Sequence, residues 1–176
     1  LMQEALKLKN DKYASLAAYY HLLYYYNRSE QDSVAKWIVR MEPYVQRSGL
    51  WDYFFDAQRF QIDLYTFTEQ YELAISEANK MKQKALNTNS NRGTVAAYQC
   101  LSNAYIGSQR WDEGLKALEE AYRLLPKKGN AVVHISVLSQ LISVTKEMKD
   151  NNRQLKYLQE LESVLRKFII DNPSLK

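Results

Sequence analysis

The chain has 176 residues, 46% of them hydrophobic and 25% charged, with a net charge of +4, the balance of a globular protein rather than a disordered segment. The small positive excess is spread along the chain, so no block forms a phosphate-binding footprint and direct nucleic-acid binding is not expected. Five Gly and three Pro leave little turn chemistry for β-hairpins and favour long helices.

Cys100 is the single cysteine, which excludes an intrachain disulfide framework and a Cys-rich metal site. It falls within an apolar helical pattern, where a small buried thiol is expected. The first residues, LMQEALKLKNDKY, are charged and helical and do not read as a signal peptide. The longest apolar run, Leu16 to Tyr26, is too short to span a bilayer, so no membrane contact is expected.

In chain order, residues 1–9 read as the end of a second helix of a preceding unit, which places at least half a unit upstream. The first full unit, about 11–50, pairs helices over Tyr13–Tyr26 and Gln31–Gln46, with Asp11 as N-cap and Gly49 as C-cap. Pro43 lies inside the second of these and predicts a kink or early end near Glu42. The second unit, about 51–91, pairs Trp51–Thr68 with Tyr71–Leu86. The third, about 92–130, carries YQCLSNAYIGSQRWDEGLKALEEAYRLLP from Tyr98 to Pro126. The fourth, about 131–170, pairs Val132–Met148 with Asn152–Phe168, and 171–176 reads as a linker.

These units share one register of 40 residues without an insertion. Tyr25, Tyr65, Tyr105 and Thr145 form one column, and Leu22, Ile62, Ser102 and Ile142 another. On the second helices the columns are Ile38, Ala78, Leu118, Leu158; Met41, Met81, Ala121, Leu161; and Val45, Ala85, Leu125, Leu165. A single column arises easily by chance; five apolar columns at one offset mark an internal repeat. Each repeat is then one helical pair that cannot bury its apolar face alone and must stack on its neighbours.

The third unit resembles the tetratricopeptide repeat. Tyr98 stands at the family's first large position, Ser102 at its first small one, Tyr105 at its Tyr, Gly114 at its second small one, and Pro126 closes the pattern. The period exceeds the family's roughly 34 residues, and the extra length falls between units. The resemblance implies an all-α, right-handed α-solenoid of about four helical hairpins preceded by part of another helix, with about three-quarters or more of the residues helical. The fourth unit, lacking the small and aromatic residues at Gln154 and Asn151, fits a more polar cap of the stack.

Chemistry is sparse. His21 and His134 lie in different units, neither with a partner at ligand spacing, and His21 reads as core or groove lining. No Gly-rich phosphate loop or nucleophile elbow is present. No catalytic residue, metal or cofactor is expected, and the fragment itself does not read as an enzyme.

The resemblance implies that the first helix of each pair lines a concave groove for a peptide or protein. By register the groove comprises Leu16, Tyr19, Leu23 and Tyr26; Asp56, Arg59, Asp63, Thr66 and Phe67; Ala96, Gln99, Asn103 and Ile106; and Ser136, Ser139, Ser143 and Lys146. Family members that bind chaperone peptides hold terminal carboxylates with cationic and Asn side chains. Arg59 and Asn103 occupy matching places here, but Asp63 replaces one Asn, and Ser136 and Gln140 replace the last cationic pair, which disfavours carboxylate capture. Phe67 reads either as an anchor for a partner's side chain or as a cover over the inter-helix turn. The composition is similar to tetratricopeptide arrays of bacterial signalling proteins such as sensor histidine kinases in two-component systems, which implies an extracytoplasmic sensor region. The alternatives are a cytosolic peptide-responsive regulator and a structural spacer or homodimerisation module using the aromatic end of the groove.

Overall fold

The computed structural model describes residues 2–126 and 131–172, and among these residues the only regular secondary structure is helical. In chain order the helices are α1 (Met2–Lys7), α2 (Asp11–Tyr26), α3 (Gln31–Ser48), α4 (Trp51–Phe67), α5 (Tyr71–Asn87), α6 (Asn91–Gly107), α7 (Trp111–Leu124), α8 (Ala131–Glu147) and α9 (Asn151–Asp171). The chain is thus all-α. Lys127 and Lys128, and most of the expected linker, lie outside the described residues; Asp171, expected to open that linker, is still helical.

The repeat is written into the backbone as well as the side chains. Ser29, Glu69, Gln109 and Lys149, each 40 residues from the next, all have positive φ, between 57° and 63°. Lys9, Gly49 and Asn89 form a second series at the same spacing. In the first series the residue after the left-handed one donates its N–H to the carbonyl five positions back: Glu30 to Tyr25, Gln70 to Tyr65, Arg110 to Tyr105 and Asp150 to Thr145, at 2.8–3.1 Å. This is the Schellman closure of a helix end, which satisfies carbonyls that would otherwise be orphaned. The Tyr column therefore also marks where each first helix is closed. In the fourth unit Thr145 does the same, fully buried, with its hydroxyl on the Leu141 carbonyl at 2.7 Å.

Helix starts follow a looser rule. Asn10, Ser90 and Asp150 cap α2, α6 and α9, accepting from the N–H of Tyr13, Gly93 and Arg153. Asp11, expected as the first N-cap, is instead the first helical residue, because Asn10 already supplies the acceptor. Asp11 pairs through both carboxylate oxygens with Arg47, at 2.8 and 2.9 Å, tying α2 to α3. The expected early end at Pro43 does not occur: α3 runs through it to Ser48, and Gly49 closes the helix at φ 74°. Pro43 and Val39, four residues before it, both lie on the exposed side of α3, where water can satisfy the carbonyl that proline leaves without a donor.

Packing joins sequence neighbours, with α2 on α3, α4 on α5, α6 on α7 and α8 on α9, and each pair to the next through α3 on α4, α5 on α6 and α7 on α8. Alternate helices also touch, α2 on α4 and α4 on α6. The repeat columns form the core: Leu22, Met41, Val45, Ile62, Ala78, Met81, Ala85, Leu118 and Ala121 are all buried. Phe54, Phe55, Phe60 and Tyr65 fill the second unit, where Gln58 and Gln61 stand at expected apolar positions. The close approach at Gly114 is steric: a Cβ there would stand 2.7 Å from Ile106 Cγ1 and 3.3 Å from the Ser102 carbonyl oxygen.

The fourth unit departs from its expected role. Leu158 and Leu165 are 44% and 38% exposed, although Ile38, Ala78 and Leu118, and Val45 and Ala85, are buried at the equivalent places. α9 presents an apolar face outward rather than a polar cap.

Candidate functional site: a cavity across three first helices

α4 carries Asp56, Arg59 and Asp63 at spacings of three and four, which places them on one face of the helix. α6 brings Arg92, Ala96, Gln99, Cys100 and Asn103 to the facing wall by the same spacing, and α8 adds Val133, His134, Ser136 and Gln140. Together with Asn91, Leu125 and Pro126 they line an open cavity of about 690 Å³. That size is within the range of small-molecule and peptide side-chain sites. The Asn91 amide donates to the Leu124 carbonyl at 3.0 Å, tying the start of α6 to the end of α7. Gln99 donates to Gln140 at 3.1 Å and bridges α6 to α8.

The two charge pairs in the cavity are unlike each other. Arg92 is engaged, with one guanidinium nitrogen 2.9 Å from Asp56 and another 3.7 Å from Asp52. Arg59 and Asp63 stand 3.8 Å apart, beyond hydrogen-bond reach, and Arg59 lies over the Phe60 ring at 4.9 Å. Burial pushes the Asp63 carboxyl above its ordinary range, and the nearby Arg59 only partly offsets this. Such a carboxylate gains from a donor that enters the cavity, because a partly desolvated charge is costly to leave under-paired. Cys100 is buried on the cavity floor, and burial first and Asp63 second push its thiol far up, so it stays neutral.

Of the residues expected from the sequence, Asp56, Arg59, Asp63, Ala96, Gln99, Asn103 and Ser136 meet on this cavity. Tyr19 and Tyr26 stand beside it rather than in its lining, packed on Phe60 at 6.3 and 4.6 Å. Burial, and then the Asp56 charge for Tyr19 and the Asp63 charge for Tyr26, raise their hydroxyls above the ordinary phenol range. Leu16 and Leu23 are half-buried on α2 and do not line the cavity. Phe67 is 83% exposed at the end of α4, so it neither covers the turn nor enters the cavity. On α8 the wall is made by Val133, His134, Ser136 and Gln140, whereas Ser139, Ser143 and Lys146 face solvent.

His21, expected in core or groove, does neither. It is exposed and stacks flat on Trp37 of α3 at 4.5 Å. Arg92 was within reach of sequence reasoning, since it lies one turn before Ala96 on the same helix face. His134 was not: its register equivalent, Thr94, is buried, and only the path of α8 brings the imidazole to the cavity.

Among the described residues no group of three or more His, Cys, Asp or Glu is placed to hold a metal ion. No helix among them is long and apolar enough to cross a membrane. No family model, curated protein or solved structure matches the chain.

Proposed function

We propose that the chain is a recognition scaffold, a right-handed array of four tetratricopeptide-like hairpins that takes a peptide or an extended segment of a protein along the face built by α4, α6 and α8. The observation that carries this reading is the Asp63 carboxylate: half-buried on a cavity lined by side chains from three successive units, and 3.8 Å from the Arg59 guanidinium. A guanidinium, ammonium or amide N–H from a bound segment supplies the donor that Asp63 lacks. Gln99 and Asn103 on the facing helix offer both donors and acceptors to a peptide backbone. The ring cluster of Tyr19, Tyr53 and Phe60 beside the cavity offers apolar contact to the neighbouring residue of the same segment.

Selection of a displayed random-peptide library on the immobilised chain tests the reading. The expected result is a family of peptides with a basic residue at a fixed position. Their affinity should fall by about tenfold or more in Asp63→Asn and in Asn103→Ala, the loss expected when one charge-assisted contact goes. Failure to enrich any peptide, or enrichment insensitive to both substitutions, overturns it.

A further inference from the structure

Two carboxylates of α4 reach the cavity, Asp56 and Asp63, two helical turns and so about 10.5 Å apart along the helix. Their situations differ. Asp63 has only the loose 3.8 Å approach of Arg59, whose guanidinium lies over the Phe60 ring. Asp56 accepts a hydrogen bond from Arg92 Nη2 at 2.9 Å, and Arg92 Nη1 stands 3.7 Å from Asp52, one turn earlier on α4.

The first turn of α6 brings Arg92 to that place. Ser90 caps the helix by accepting the Gly93 N–H at 3.0 Å, which fixes where α6 begins. Gly93 then lets the turn close on α4: a Cβ there would stand 2.5 Å from the ring of Phe55, which is buried. Arg92, next to this contact, is carried against the Asp52–Asp56 side of α4. The first turn of a helix is an unfavourable place for a cation, because its free N–H groups carry partial positive charge. No acidic residue in that turn offsets it, so the compensation for Arg92 comes from α4. With Arg92 in place, the two guanidiniums and two carboxylates of the lining balance, and Asp63 alone lacks a hydrogen-bonded cation.

We propose that Arg92 is a specificity-determining residue of the cavity. It occupies Asp56 as a ligand's cation would, and so restricts the bound segment to a single basic side chain, the one taken by Asp63. The inference rests on the reading of the cavity as a peptide site and names the charge of the segment that fits. A second basic residue would have to displace a hydrogen-bonded guanidinium or lie beside it, and like charges in contact weaken binding.

Selection of one displayed peptide library on the wild type and on Arg92→Gln in parallel tests the proposal. The wild type should enrich peptides with one fixed basic residue. Arg92→Gln should enrich peptides with a second basic residue at a fixed spacing from the first. Those dibasic peptides should bind Arg92→Gln more tightly than the wild type by about tenfold or more, and adding Asp56→Asn to Arg92→Gln should erase the difference. Peptides selected on the wild type should bind Arg92→Gln at least as tightly, since a positive charge has left the site, with circular dichroism showing that the helices remain. If neither protein enriches a peptide, the peptide reading itself fails and the role of Arg92 falls with it. If both enrich the same peptides with one basic residue, the cavity binds peptides but Arg92 does not set their charge. Dibasic peptides on the wild type, or loss of capture in Arg92→Gln, also overturn the proposal and leave the peptide reading standing.

Discussion

Asp63 and Arg59 occupy adjacent turns of α4, yet their charged groups stand 3.8 Å apart and form no hydrogen bond. The folded state holds the Asp63 proton more tightly than the unfolded chain does, since desolvation raises its carboxyl above the ordinary carboxylate range and Arg59 only partly offsets this. Stability linked to this group is full below the unfolded value and falls as pH rises through the folded one. Asp63→Asn, which keeps the shape and removes the charge, should raise the melting temperature at pH 7. The gain should vanish as the pH is lowered past the unfolded value. Thermal melts of both proteins over that range check this; a lower melting temperature for the Asn variant at pH 7 would show that Arg59 holds Asp63 more firmly than the distance indicates.

Gly114 marks a close approach of α7 to α6. An added Cβ meets Ile106 Cγ1 at 2.7 Å and the Ser102 carbonyl oxygen at 3.3 Å. Gly114→Leu should therefore destabilise the chain by about 1–3 kcal/mol through overpacking, with no specific effect on peptide capture. Because the nearest obstacle is a side chain, Gly114→Ala combined with Ile106→Ala should cost less than the sum of the two single changes. Denaturant titration of the four-member cycle measures that coupling. Additive losses would place the clash on the Ser102 backbone instead.

What was legible in the sequence was whatever the repeat expresses through side-chain volume. Leu22, Met41, Val45, Ile62 and Leu118 are buried at the places the 40-residue register assigns, and Cys100 is buried as its apolar setting implied. The all-helical class followed from the same columns. What was hidden depends on backbone closure and on how far each helix is carried. The left-handed residues inside the hairpins are Ser29, Glu69, Gln109 and Lys149, none a residue type that announces positive φ, whereas Gly49, between hairpins, was legible as a C-cap. Pro43 reads as a breaker but lies on the exposed side, where the missing bond costs little. At the cavity, Arg59, Asp63, Gln99 and Asn103 fell to a simple register transfer. On α8 the same transfer failed beyond Ser136: the cavity wall lies toward the N-terminal part of the helix, through Val133, His134 and Gln140.

Gln109 illustrates the cost of those turns. At φ 63° it sits in a region that L-residues enter at about 1–2 kcal/mol, and β-branched residues with more difficulty. Its neighbours' hydrogen bonds, Arg110 N–H to the Tyr105 carbonyl and Gln109 N–H to the Ile106 carbonyl, hold it there. Gln109→Val should destabilise the chain by about 1–2 kcal/mol, the size of backbone strain at such a site. Gln109→Gly should be neutral or stabilising, because relief of the strain outweighs the entropy that glycine adds to the unfolded chain. Chemical denaturation distinguishes the two; equal losses in both would show that the Gln109 side chain, rather than its backbone angle, matters.

Cys100 tests the cavity from the inside. Its thiol forms part of the cavity floor but is only 2% exposed. Burial and the nearby Asp63 carboxylate both disfavour the thiolate that reacts. An aromatic disulfide reagent at pH 8 should therefore leave the folded chain unlabelled and modify one thiol per chain after denaturant is added. In intermediate denaturant the labelling rate should follow global unfolding, since α6 packs on α4, α5 and α7 together. Asp63→Asn removes one of the charges that suppress the thiolate, yet it should not bring native-state labelling, because the protection lies first in burial. Rapid labelling of the native chain, with its helical signal intact, would mean that the cavity opens down to Cys100 without unfolding. The pairing of Asp63 with an incoming donor would then be more fully exposed to water, where a single charge-assisted contact is weak.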